Sequence, residues 1–336
     1  MKKSLATLSF TALALSAMVI PGILGRYSAS AESKLNSSQT PVASAAAQDL
    51  TATTTDLATG MVMPTKAVYA LNANNVLFIL QPGATSFTRL TPITGAVGNV
   101  IGIDFRPFDK RLYALTDNGS LYTVALGAAN LGAATKVSTL SPRFDGGYQS
   151  LMDFNPVVDA IRLIASDNDN YAVVKDANGI LNTTAVQTSL TYPAPDVNAG
   201  KDPNIACGSY TNNVAGATVT LFYAIDSDTD QFVTIAPATP GGSSATGGGQ
   251  LLTIGNLVTP TGVRINFSPT ADFDIVTNPD GTNIIFGVSG RTLFSISLAQ
   301  LKTPLLQGQT QNVDVRGVNA DPNSAGGGFI DSTIRP

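Results

Sequence analysis

From Ala67 onward, short apolar runs alternate with polar punctuation. The runs are "AVYAL", "NVLFIL", "RLYAL", "SLYTVAL", "AIRLIA", "TLFYAI", "QFVTIA", "NIIFGV" and "TLFSISL". Each is rich in β-branched and aromatic residues and is bounded by Gly, Asn or Asp, the pattern of strands. No stretch of the body holds an amphipathic helical period. Residues 298–306, "LAQLKTPLL", predict at most one turn before Pro304 stops it. "TDNGSLY" carries Asn118-Gly119 and predicts a two-residue hairpin turn, and "LNANNVLF" predicts another hairpin.

The pattern repeats. "IDFRPFDKRLYALTD" (Ile103–Asp117) and "MDFNPVVDAIRLIAS" (Met152–Ser166) both set Asp-Phe-x-Pro ahead of an apolar strand. "INFSP" (Ile265–Pro269) reads as a later copy with Asn266 in place of Asp. In the second unit the strands are "IDFRP", "RLYAL", "SLYTVAL" and "TKVSTL". In the third they are "MDFNP", "AIRLIA", "YAVVK" and "VQTSLTY". Apolar strands recur at Val68, Leu112, Ile161, Leu221 and Ile284, spacings of 44, 49, 60 and 63 residues. Such spacing predicts an all-β fold, a β-propeller of four-stranded blades. Five blades fit, or six if residues 262–298 divide differently. A two-sheet sandwich does not explain a repeat of this length. The first unit lacks one strand, and "NVDVRGV" (Asn312–Val318) is expected to supply it and close the ring.

Residues outside this body read differently. Met1-Lys2-Lys3, the apolar run Leu5–Ile20 and Ala29-Ser30-Ala31 form a secretory signal pattern with a cut expected after Ala31. An uncleaved anchor is the competing reading, and the small-residue site favours cleavage. Residues 32–66 lack aromatics and are rich in Ala, Ser and Thr, a composition expected to stay flexible. Pro237–Gly249, "PATPGGSSATGGG", reads as a flexible loop, and residues 319–336 as a loose tail. The propeller is thus expected over residues 67–318, secreted or periplasmic.

Charge and composition narrow the chemistry. Without Lys2, Lys3 and Arg26 the chain has 16 Lys+Arg against 23 Asp+Glu, a net charge of -7. No basic cluster points to nucleic acid or an anionic membrane. Cys207 is the only cysteine, so no intrachain disulfide forms, and it is expected to be a buried small hydrophobe. The absence of His removes Ser-His-Asp and Cys-His arrangements and the usual His-ligated metal sites. Glu32 is the only Glu, and the other 22 acids are Asp, which favours turn chemistry.

Order and wording of several segments resemble a bacterial family of secreted, propeller-like proteins known as domain of unknown function 4394. "DFNPVVDAIRLI", "YTNN" (Tyr210–Asn213), "LFYAIDSDTDQFV", "FDIV" (Phe273–Val276) and "TLFSISLAQL" carry the resemblance, which spans roughly residues 67–318. It implies the fold and export and brings no activity. The family tends to place Asp-Arg after its Asn-Pro turn. Here Asp159 is followed by Ala160 and Ile161, and Arg162 comes next.

Two Asp sets are candidate cation ligands, with calcium the fitting ion because carboxylates are hard oxygen donors. Asp104 and Asp153, with Asn266, are expected at equivalent ends of channel-lining strands. Alternatively, Asp bonds its own turn, Phe fills the space between blades and Pro fixes the corner. Asp226, Asp228 and Asp230 alternate in "AIDSDTDQF" like the start of a calcium loop. Gln231 stands where an EF-hand needs Gly, and Pro237 where it needs Glu. A strand end and a charged hairpin account for the same residues. Overall the sequence fits an exported, monomeric, non-enzymatic binding or scaffolding propeller for a glycan, peptide or envelope protein. An Asp-based hydrolase, glycosidase- or lactonase-like and calcium-dependent, is the alternative.

Overall fold

The computed structural model describes residues 60–235, 248–302, 308–319 and 328–336. Among these residues, twenty-one strands build five sheets arranged as the blades of a propeller. The signal pattern, most of the Pro237–Gly249 loop and Pro304 lie outside the described residues. The expected linker overlaps them only at 60–66, where Met61 and Met63 pack on the body.

The first blade contains β1 (Val68–Asn72), β2 (Val76–Leu80) and β3 (Thr88–Pro92). The second is β4 (Val100–Phe105), β5 (Leu112–Thr116), β6 (Ser120–Val124) and β7 (Ala134–Thr139). The third is β8 (Leu151–Asn155), β9 (Ala160–Ile164), β10 (Asn170–Lys175) and β11 (Leu181–Val186). The last of these ends where "VQTSLTY" was expected to begin. The Asp176 carboxylate accepts the Asn178 and Ile180 N–H groups, and this tight turn starts β11 earlier.

The fourth blade is β12 (Ile205–Tyr210), β13 (Phe222–Asp226), β14 (Gln231–Ile235) and β15 (Leu251–Val258). In the fifth, β16 (Asp272–Thr277), β17 (Asn283–Ser289) and β18 (Thr292–Ser297) precede a 3-10 turn at Leu298–Gln300. Then β19 (Gln311–Asp314) runs parallel to β15, and β20 (Arg316–Asn319) pairs with β18. Gly255 permits the first contact: a Cβ there would collide with the Gln311 backbone.

Two expectations are corrected here. "NVDVRGV" does not close the ring, because its residues form the outer strands of the fourth and fifth blades. Closure comes from β21 (Phe329–Ile334), antiparallel to β1, so the expected loose tail contains a buried strand. The first blade needs an innermost strand buried on both faces, and "FIDSTI" supplies one.

Five apolar clusters, one per seam between blades, form the core. Tyr69, Ile103 and Phe105 join the first and second blades; Tyr113, Phe154 and Ile161 the second and third. Tyr210 with Leu151, and Phe232 with Phe273, fill the next two seams. Phe329 joins Val68 and Phe286 in the last. The Asp-Phe-x-Pro phenylalanines do fill the space between blades. Phe105 meets Tyr69 edge-on at 5.4 Å and Phe154 meets Tyr113 at 5.1 Å.

Candidate functional site

Each blade's innermost strand bonds its neighbour on one edge and turns the other edge to the axis. The axial N–H groups therefore need acceptors from outside the sheet. Asp104, Asp153, Ser209, Asp274 and Thr333 occupy matching positions on β4, β8, β12, β16 and β21, each ahead of a large apolar or aromatic residue. Asp104 accepts the Phe154 N–H at 2.7 Å, Asp153 the Tyr210 N–H at 3.0 Å, and Asp274 the Ile334 N–H at 2.8 Å. The Ser209 hydroxyl donates to Asp274 at 2.9 Å, and Thr333 accepts the Phe105 N–H and donates to Asp104 at 2.7 Å. A hydrogen-bonded ring thus passes once around the axis, each blade stitched to the next.

Two residues earlier lies a second tier: Gly102, Leu151, Cys207, Asp272 and Asp331. Asp331 accepts the Ile103 N–H at 3.1 Å, and Asp272 the Ser332 N–H at 2.9 Å. All five acids are at most 7% exposed. Burial, the leading cause, pushes each carboxyl above its ordinary range. Asp274 reinforces this at Asp104, Asp104 at Asp153, and Asp272 at Asp331. Burial and then Asp272 also push the Cys207 thiol up, so it is a poor nucleophile.

The structure brings Asp104 and Asp153 into this axial group. Their partners are chiefly the neighbouring strands' N–H groups rather than their own turns, although Asp104 also accepts the Phe105 N–H. Asn266 does not join them: it is exposed and outside any strand. The fourth blade's inner strand is instead "IACGSY" and the fifth's is "DFDIVT". Asp272, Asp274 and Asp331 were not legible in the sequence because neither "DFDIVT" nor "FIDSTI" has the full Asp-Phe-x-Pro form. Closer reading offers a signal: "STIRP" at the end of β21 matches "DFRP" in its final Arg-Pro.

Asp226, Asp228 and Asp230 lie away from the axis, at the β13–β14 turn. Asp226 is fully buried and accepts the Tyr192 hydroxyl at 2.6 Å and the Asp228 N–H at 3.0 Å. Exposed Asp228 takes the Asn204 amide at 2.8 Å. Asp230, in the left-handed region at φ 50°, accepts the Phe267 N–H at 2.9 Å; burial raises its pKa. Among the described residues no three His, Cys, Asp or Glu side chains form a group able to hold a metal ion.

The turns leaving the inner strands make the nearby surface. Pro107, Phe108, Pro156, Val157, Val158 and Asp159, with Lys175, Ala215 and Gly216, line a cleft of about 330 Å3. Phe108 is 69% exposed and lies under the Arg106 guanidinium, 5.2 Å from ring centre to Cζ. Burial opposes ionisation of Asp159, but Arg106 and Lys175 outweigh it and lower its pKa. Arg162 makes no pair with Asp159. It donates to the Tyr210 hydroxyl at 2.6 Å and stacks over that ring, standing where three other blades have Tyr69, Tyr113 and Tyr223 and the fifth has Phe286.

The fold and axis define the class: an all-β, five-bladed propeller with a carboxyl-lined axis. The chain belongs to the family described as domain of unknown function (DUF4394), matched over residues 75–318, so β21 lies beyond the match. No curated protein matches it. One similar solved structure is a protein of unknown function from Bacteroides thetaiotaomicron, 14% identical, TM-score 0.38, covering 70% of this chain and 53% of that one. Another is a "putative 6-phosphogluconolactonase" from Bacteroides uniformis, 12% identical, TM-score 0.37, covering 76% of this chain and 68% of that one. The chain therefore spans about half of the first structure. Among the described residues no helix is long and apolar enough to cross a membrane.

Proposed function

We propose that this propeller is a non-enzymatic binding module acting outside the cytoplasm, with its ligand seated on the turn face around Phe108. The carrying observation is the open apolar cleft framed by Phe108 and Val158, on rigid turns between blades. The Asp side chains support this reading by being committed elsewhere. Acid–base hydrolysis needs two carboxyls that substrate and water can reach. Asp104 and Asp153 are 2% and 3% exposed and accept backbone N–H groups. Among the described residues the only carboxylate lining the cleft is Asp159, held by Arg106 and Lys175.

The ligand is an extracytoplasmic glycan, peptide or protein with an apolar patch that fits the cleft. Export rests on the signal pattern at residues 1–31. The test uses the folded propeller on glycan and peptide arrays and in a pull-down from the native envelope, beside Phe108→Ser. A ligand captured by the wild type and lost in a variant of unchanged Tm supports the reading. Turnover of a glycoside or lactone that disappears in Asp104→Asn or Asp153→Asn would overturn it.

A further inference from the structure

Four of the five axial acids converge on β21. Asp272 and Asp274 accept its Ser332 and Ile334 N–H groups, Asp104 accepts its Thr333 hydroxyl, and Asp331 belongs to it. The strand that closes the ring is therefore tied to its neighbours through carboxyls, and at two places the surrounding groups donate fewer protons than those carboxyls have oxygens to accept them. The Oδ1 atom of Asp331, on a residue 1% exposed, has no hydrogen-bond partner. The Thr333 hydroxyl sits between two acids, 2.7 Å from Asp104 and 3.2 Å from Asp274, while already accepting the Phe105 N–H. A hydroxyl has one proton and can donate it to one of them. The second contact is a hydrogen bond only if the other carboxyl carries a proton itself.

Among the described residues counter-charge does not fill the gap. The ion pairs Arg106–Asp109, Arg106–Asp159, Lys175–Asp159 and Arg316–Asp314 all lie elsewhere. The other titratable groups on the adjoining strands are Tyr69 on β1, Tyr113 on β5, Arg162 on β9, Cys207 and Tyr210 on β12, and Tyr223 and Asp226 on β13, the last bonded to Tyr192 at the outer turn. Strand β17 has none. Arg162 pairs across the sheet with Asp153, but its guanidinium is engaged by Tyr210 and Asn170.

We infer that the axial carboxyls carry protons in the folded molecule, and that these protons form a latch holding β21 in the ring. Deprotonation would set several anions side by side among buried groups, where repulsion is strong. The latch would then loosen at β21, where four of the acids meet. The raised carboxyl pKa values agree in sign: a group whose pKa is higher folded than unfolded stabilises at low pH. That stability is lost as pH rises through the folded value.

Metal-free wild-type protein is melted between about pH 5 and about pH 9, with hydrogen exchange followed at Ser332 and Ile334. The expected result is a Tm that falls with rising pH and early loss of protection at those two amides. In Asp331→Asn, a neutral side chain that can still accept the Ile103 N–H, the fall should shrink. Infrared spectra of the wild type need no variant: a protonated-carboxyl C=O band should persist at neutral pH. Absence of that band overturns the inference. So does a Tm at neutral pH that calcium raises and a chelator lowers in the wild type but not in Asp331→Asn, since the axis would then hold a cation.

Discussion

Asp is one residue type with two roles here. At hairpins it caps its own turn: Asp176 accepts the Ile180 N–H, and Asp280 the Thr282 N–H. At the axis it reaches across to the next blade. Which role an Asp plays depends on whether the strand edge beside it is paired, and the local sequence does not record that. Asp104→Ala would leave the Phe154 N–H without its acceptor at a buried site. A loss of about 1–3 kcal/mol is expected, read as a lower urea midpoint at constant m-value. Phe154→Ala opens a cavity against Tyr113 and should cost about 3–5 kcal/mol in the same assay. Phe108→Ser, on an exposed ring, should change stability by less than about 0.5 kcal/mol. The packing role of Phe105 and Phe154 was legible in the repeat, whereas Asp331 and Asp272 were hidden by divergence of the motif.

Strand positions were largely legible because β-branched and aromatic runs between Asn, Asp and Gly leave few alternatives. Turn detail was less so. Asn118-Gly119 belongs to a three-residue loop, Asp117 to Gly119, with Gly119 at φ 76° and its N–H bonded to Thr116 O at 2.8 Å. Gly119→Val would force a β-branched residue into the left-handed region, at a cost of about 1–3 kcal/mol, measurable as a lower Tm. The identity of the closing strand was the main error. "FIDSTI" follows a Gly-rich stretch in the expected loose tail, and what marks it as an inner strand is its long-range pairing with β1. Deleting residues 328–336 removes β21 and exposes the inner edge of β1. The expected product is a chain that elutes as aggregate and lacks a sharp melting transition.

Each of the five seams is filled from two blades, so no blade owns a complete core. Unfolding should follow one cooperative transition, with calorimetric and van't Hoff enthalpies in agreement. Two well-separated transitions would contradict that picture. Five blades were legible from the spacing of the repeat, with six left open by residues 262–298 until the sheets were seen. The axial chemistry was not, because it depends on residues far apart in sequence meeting around one line. Closure by β21 also bears on how the chain reaches this state. Val68 pairs with Ile334, so the first blade cannot finish until nearly the whole body is available. Until then β1 offers a bare edge to any passing strand. Ring formation is therefore the high-contact-order event of folding, expected to be slow. A helper that shields β1 during that interval would raise the yield of native protein without altering its final stability.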